Sequence, residues 1–280
     1  MKKENLKVII ISISSDIGMA LCNSWIPKGW EIFGTYRTNS PILDKLKDKG
    51  VRIVSCDLSC VEEIKKACSK LKSICPEWDV LILCAGTQEP IGPFLDNNFK
   101  DWKESVNINL ISQLNVVHEL LPNRNKKQEL GPCVLFFAGG GTNNATVNYS
   151  AYTLSKIALI KMCELLDAEI VDTRFTILGP GWVKTKIHKQ TLKASENAGQ
   201  NYKKTKDKLY SSECTPMDDV VECCEWIIKS PRNIVGGRNL SVVFDMWGSG
   251  KLSKKLQADS NMYKLRRYGN DFLIRKKGEK

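Results

Sequence analysis

Seven short apolar runs punctuate the chain, and their length is the strongest constraint on what it can fold into. Val8 to Ile13, Glu31 to Thr35, Val51 to Cys56, Val80 to Leu83, Val134 to Phe137, Phe175 to Leu178 and Leu240 to Phe244 are too short for buried helices and read as strands covered on both faces. Six stretches with helical spacing lie between them. Ser40-Pro41 supplies a start before Ile42, Ser59 to Glu62 has the form of a capping box, and Thr215-Pro216-Met217-Asp218 opens another helix. Strands alternating with helices specify a parallel sheet, because each parallel pair needs a crossover that covers a face. The expectation is one α/β domain with a doubly wound sheet of about seven strands.

Composition narrows the classes. Among 280 residues no Gly/Ser/Pro-rich or single-sign stretch reads as an internal linker, and no apolar run approaches the roughly eighteen residues of a membrane helix. Lys2 and Lys3 before Val8 imitate a leader, but the apolar run is short and reads better as a first strand. Eleven cysteines without paired spacing, and only two histidines, His118 and His188, argue against a zinc site or a disulfide framework and for the reducing cytoplasm. The adjacent Cys223 and Cys224 read as small apolar helix residues. The net charge of +11 is concentrated at the end, where residues 251–280 hold ten Lys/Arg against three Asp/Glu. We read residues 1–250 as the domain and 251–280 as a basic tail, solvated apart from docked aromatics such as Tyr263 and Tyr268, with no nucleic-acid or membrane partner.

In a doubly wound sheet ligands bind beyond the carboxyl ends of the strands, so chemistry is sought there. The first run leads into Ser12-Ile13-Ser14-Ser15-Asp16-Ile17-Gly18, a turn opening a helix whose first amides could carry a diphosphate. An ordinary strand-to-helix turn with Asp16 as N-cap fits the same residues. Nineteen residues beyond Gly18 stands Arg37, where an NAD enzyme would carry an acid for the ribose 2'-hydroxyl. A guanidinium there suits a 2'-phosphate instead, and NADP is expected over NAD, although a solvated arginine is the plain alternative. Tyr152 and Lys156 stand four apart, on one helix face. A tyrosine acting as acid/base near neutrality must lose about three pKa units from ~10, or ~4 kcal/mol. An ammonium ~4 Å away at an effective dielectric of ~20 supplies that much.

With these residues in order, the chain from Lys7 to Trp247 resembles the short-chain dehydrogenase/reductase family, whose domain is of the Rossmann type. The family's glycine-rich turn matches Ser12 to Gly18, its adenine-contacting Asp matches Asp57, and its Asn-Asn-Ala-Gly motif matches Leu83-Cys84-Ala85-Gly86. Its active-site Asn matches Asn109, its Tyr-x-x-x-Lys pair matches Tyr152 and Lys156, and its Pro-Gly motif matches Pro180-Gly181-Trp182-Val183-Lys184-Thr185. The resemblance implies an NADP(H)-dependent oxidoreductase interconverting a carbonyl and an alcohol. The cofactor would lie against Ser12, Ser14, Ser15, Asp16, Ile17, Gly18, Arg37, Asp57, Leu58, Ala85, Gly86, Pro180, Gly181, Val183 and Thr185. Tyr152 would pass the proton, Lys156 would bind ribose and lower the tyrosine's pKa, Asn109 would position a relay water and Thr185 would hold the carboxamide.

Three departures stand out. Ser12 and Asp16 replace glycines of the turn, and Leu83 and Cys84 replace asparagines. The family's catalytic serine falls on Ala138 or Gly139, neither of which has a hydroxyl, and Thr142 beyond Gly139-Gly140-Gly141 is the candidate substitute. These losses favour a rival reading, a degenerate nucleotide-binding sensor or assembly protein; retention of Tyr152, Lys156 and Asn109 favours the enzyme. Phe244-Asp245-Met246-Trp247 with Tyr263 to Arg267 is similar to endings of family members from surface-polysaccharide gene clusters. That likeness, and eight lysines in the expected substrate loop 184–213, suggest a small-molecule substrate that is an anionic sugar derivative such as a nucleotide-linked sugar; a solvated helix face explains the lysines equally. His188, Trp182 and Tyr149 are candidates for the substrate pocket or for packing. The resemblance further implies a homodimer or homotetramer.

Overall fold

A computed structural model describes residues 5–267. Seven strands, β1 (Lys7–Ile11), β2 (Glu31–Tyr36), β3 (Arg52–Ser55), β4 (Val80–Leu83), β5 (Cys133–Phe137), β6 (Arg174–Gly179) and β7 (Asn239–Ser241), form one sheet in the order β3-β2-β1-β4-β5-β6-β7. All six pairings are parallel. The helices are α1 (Asp16–Trp25), α2 (Pro41–Asp48), α3 (Val61–Ile74), α4 (Phe99–Val106), α5 (Ser112–Leu120), α6 (Ser150–Glu169), α7 (His188–Ala194), α8 (Gln200–Tyr210), α9 (Met217–Ile228), α10 (Arg232–Val235) and α11 (Gly250–Ala258). This is the expected doubly wound, Rossmann-type domain.

The strand sequences explain the two layers. Along β1, Val8 and Ile10 enter the hydrophobic cluster on one face of the sheet and Ile9 and Ile11 the cluster on the other, because successive side chains alternate. In β4, Val80 and Ile82 take the first face, Leu81 and Leu83 the second. Each such fully buried aliphatic side chain contributes about 1.5–3 kcal/mol, which is why the central strands are apolar throughout. The order reverses between β1 and β4, and the crevice at their carboxyl ends is the switch point where a ligand is received.

Several boundaries differ from the sequence reading. β1 stops at Ile11 because Ser12 takes φ 62, turning the chain out of the sheet. β7 ends at Ser241, whose N–H donates to the Asp245 carboxylate at 2.7 Å; Val242 makes one more bond to the Gly179 carbonyl of β6, at 3.0 Å, before the chain turns away. Ser59 does not cap α3: its hydroxyl donates to Asp57 Oδ1 at 2.9 Å, Cys60 is the N-cap, and Glu63 rather than Glu62 reaches back to the Asp57 N–H at 2.8 Å. The basic segment is packed as far as Leu265. Leu252 and Leu256 of α11 join the core, and Arg238 donates to the carbonyls of Leu256 and Asp259 at 2.6 and 3.0 Å and to that of Met262. Tyr268 lies outside the described residues.

Candidate active site

A cleft of about 1940 Å³ opens at the carboxyl ends of the strands, well above the ~300–1,000 Å³ of a drug-sized ligand site and large enough for a dinucleotide beside a substrate. It is lined by Ser12, Ser14, Ser15, Asp16 and Ile17, by Arg37, Asp57, Leu58, Ala85 and Gly86, by Thr142, Tyr152 and Lys156, and by Pro180, Gly181, Val183 and Thr185. Gly18 and Asn109, both buried, stand behind this lining rather than in it.

The turn after β1 is built without two of the family's glycines. Ser12 adopts the left-handed conformation, and its N–H is held by Thr35 Oγ1 at 3.1 Å. Ser15, not Asp16, is the N-cap of α1, its Oγ accepting from the Gly18 N–H at 3.0 Å. Gly18 is obligatory: a methyl group there would lie 2.7 Å from the Ile13 carbonyl oxygen, so the helix could not seat on the turn. Asp16, freed from capping, accepts the Lys186 N–H at 2.7 Å, and the Lys186 ammonium donates to the Ser14 carbonyl at 2.5 Å. Arg37 is exposed just past β2, and no carboxylate pairs with it among the described residues. Asp57 keeps Oδ2 free while Oδ1 accepts from Ser59.

Behind the cleft, α4 passes into α5 through a π-helical turn, Asn107–Ile111, a deformation frequent at functional sites. Asn109 lies on it with 0% exposure. Its amide grips the Thr87 backbone, Oδ1 accepting from N–H at 2.9 Å and Nδ2 donating to C=O at 2.8 Å, with Ser105 Oγ at 3.2 Å. Its main-chain carbonyl accepts from Gln113 Nε2 at 2.8 Å. The asparagine thus fixes the strand-4 loop, and with it Gly86. A methyl group on Gly86 would stand 3.6 Å from Asn109 Oδ1 and 3.9 Å from Lys156 Nζ.

α6 carries Tyr152 and Lys156 into the cleft on one face, as their spacing requires. Their electrostatics differ from the sequence expectation. Lys156 Nζ donates to the Phe137 carbonyl at 2.9 Å and sits 5.7 Å from the Tyr152 ring centre, instead of bonding the phenol. Burial pushes the Lys156 ammonium down to about 8 and the half-buried Tyr152 phenol up to about 12. Desolvation sets the direction of both shifts.

Gly139 is the residue that faces Tyr152. A methyl group on it would lie 2.8 Å from the phenol oxygen and 2.7 Å from Cε1. Ala138 is 6% exposed, joins a core cluster and borders the cleft at its inner wall. Thr142 is exposed at the cleft rim, whereas Thr146 Oγ1 folds over the glycines, 3.2 Å from where a Gly141 side chain would begin. The glycine loop does turn back, but with Thr146 foremost.

The substrate loop is largely helical, as α7 and α8, and of its eight lysines only Lys186 and Lys193 line the cleft. The solvated-face reading therefore holds for the other six. A chain of neutral polar groups that the sequence did not reveal lines the cleft instead. Tyr149 Oη meets Thr191 Oγ1 at 2.9 Å, which donates to Gln88 Oε1 at 3.0 Å, and Gln190 Oε1 accepts from the Gln88 N–H at 2.8 Å. Trp182 stacks on His188, ring centres 3.8 Å apart, and burial lowers the His188 pKa. Among the described residues no group of three or more His, Cys, Asp or Glu could hold a metal, and no helix is long and apolar enough to cross a membrane.

This geometry defines a nucleotide-type cleft with a half-buried tyrosine beside a buried lysine, and comparison with known proteins agrees. The family profile described as short chain dehydrogenase matches residues 7–196. The chain belongs to the short-chain dehydrogenase family and is an NAD(P)-dependent oxidoreductase. It is similar to a serine 3-dehydrogenase from Rhizobium radiobacter, 22% identical over 231 residues that cover 81% of this chain and 89% of that protein. Among solved structures it is similar to a short-chain dehydrogenase/reductase from Saccharomyces cerevisiae, TM-score 0.75 and 20% identity, covering 89% of this chain and 98% of that one. An actinorhodin polyketide ketoreductase with NADPH superposes with TM-score 0.74 at 17% identity, covering 89% and 99%.

Proposed function

We propose that the protein is an NADP(H)-dependent oxidoreductase that interconverts a carbonyl and an alcohol on a small polyhydroxylated substrate, with Tyr152 as its acid/base. The observation that carries this reading is the Lys156 ammonium, buried beside the open face of Gly86 with one carbonyl as its partner. An ammonium has three donors, and two remain for ribose hydroxyls. Arg37 would take a 2'-phosphate, Asp57 Oδ2 the adenine, the turn from Ser12 to Ile17 the diphosphate, and Thr185, with Pro180, Gly181 and Val183, the nicotinamide end.

When bound, the cofactor supplies the hydride. Tyr152 donates its proton to the carbonyl oxygen in the reductive direction. Lys156, held in place by Phe137, stabilises the phenolate left behind. Asn109, the counterpart of the family's active-site asparagine, would position the water through which the proton is replaced. Gly139 cannot give the hydrogen bond that a serine would, so the substrate oxygen is held by Tyr152 and by a neighbouring hydroxyl, Thr142 at the rim or Thr146 over the glycines.

Neutral amides and hydroxyls at Gln88, Gln190, Thr191 and Tyr149 suit sugar hydroxyls, and Lys193 answers to an anionic group of the substrate. The ending that suggested a surface-polysaccharide context serves the fold: Asp245 holds Ser241, and Trp247 Nε1 donates to the Val242 carbonyl at 2.9 Å. A homodimer or homotetramer accords with exposed Ile111, Leu154 and Leu165, apolar positions that an assembly would cover. The test is a panel of sugar and sugar-nucleotide aldehydes and ketones scored for NADPH oxidation; consumption with none of them, beside turnover of apolar ketones, would overturn the substrate class.

A further inference from the structure

We infer that Lys186 is a cationic ligand of the cofactor's diphosphate, carried to it by the substrate loop, and that Asp16 is the positioning residue that holds it there. The inference rests on the NADP(H) reading of the cleft.

The turn that would face the diphosphate contains a carboxylate, Asp16, at the first position of α1, where the family's turn has glycine. A bare carboxylate beside a diphosphate repels it, and the α1 amides alone would have to offset that repulsion. The structure answers the charge locally. Asp16 Oδ2 accepts the main-chain N–H of Lys186 at 2.7 Å, and the Lys186 ammonium returns to the Ser14 carbonyl at 2.5 Å, two bonds across 170 residues of sequence. The ammonium therefore lies on the cofactor turn itself. One of its three protons is used by Ser14, and Lys186 is exposed at the cleft, which leaves two protons available to a ligand.

The main-chain anchor explains why Asp16 is tolerated. One oxygen of its carboxylate is engaged by the loop, and it fixes the backbone from which the lysine reaches. Lys186 also sits between Thr185, assigned to the nicotinamide end, and the Gln190–Thr191 pair of the substrate pocket. A diphosphate that engages Lys186 thereby settles the loop that shapes the pocket.

The experiment is isothermal calorimetry with two probes, NADPH and adenosine 2'-monophosphate, which shares the Arg37 end but has no diphosphate. Lys186→Met should weaken NADPH at least tenfold and change the monophosphate less than twofold, a split that a loosened fold would not produce. Lys186→Arg should stay within threefold for both. In an Asp16→Ala background, Lys186→Met should cost less than threefold, because the lysine is no longer held. Equal loss for both probes, or no loss for NADPH in a protein that binds it, would overturn the inference and leave the cleft reading intact. Failure of the unmodified protein to bind either probe would overturn the cleft reading and the inference with it.

Discussion

The phenol of Tyr152 rests against Gly139 so closely that a single methyl group on the glycine would stand 2.8 Å from the phenol oxygen. The position of the family's missing serine is thus not an unfilled donor site; the tyrosine occupies its space. Gly139→Ser should displace Tyr152 and lower turnover at least tenfold, with NADPH affinity within threefold. A gain in turnover from Gly139→Ser would show that the tyrosine yields and that the serine position is open. Ala138→Ser, in the core, should give no gain and a modest loss of stability, read by urea denaturation.

Arg37 faces the cleft without a carboxylate partner among the described residues. Arg37→Ala should remove most of the preference for NADPH over NADH, measured as the ratio of dissociation constants. Equal affinities in the unmodified protein would contradict the assignment of NADP.

Burial lowers Lys156 to about 8, whereas in the unfolded chain it titrates near 10.5. Between these values the unfolded state binds more protons, so this group's contribution to stability rises with pH through that window. Buried thiols such as Cys22 and Cys68 are raised to about 12 and work in the opposite sense above their unfolded value of 9.0. The difference in urea stability between the unmodified protein and Lys156→Met cancels their share and should grow in favour of the unmodified protein from pH 8 to 10. A flat difference would place the ammonium in contact with solvent.

Tyr149→Phe breaks the bond to Thr191 and loosens the chain that continues to Gln88. It should raise KM several-fold and leave NADPH affinity unchanged. An unchanged KM would assign this network to packing alone.

What the sequence made legible was the periodic part. Alternating apolar runs located all seven strands, and the four-residue spacing of Tyr152 and Lys156 placed them on one face of α6, because both patterns are local. Long-range pairings were not legible. Asp16 meets Lys186, Lys156 meets the Phe137 carbonyl, and Gln190 meets Gln88 only once the sheet has brought their loops together. Spacing fixes a shared face for Tyr152 and Lys156 but not which acceptor the ammonium chooses, here the Phe137 carbonyl. Thr142 was nearest along the chain, yet positive φ at Gly141 turns the loop so that Thr146 covers the glycines.

The central claim is that Tyr152 moves the proton in a cleft that holds NADP(H). The most direct measurement is the turnover of Tyr152→Phe beside its NADPH dissociation constant, using a carbonyl substrate that the unmodified protein reduces. A phenylalanine keeps the ring against Gly139 and removes only the hydroxyl, so kcat should fall at least a thousandfold while the dissociation constant stays within threefold. A kcat within tenfold of the unmodified protein would contradict the account, because the proton would then pass through another group.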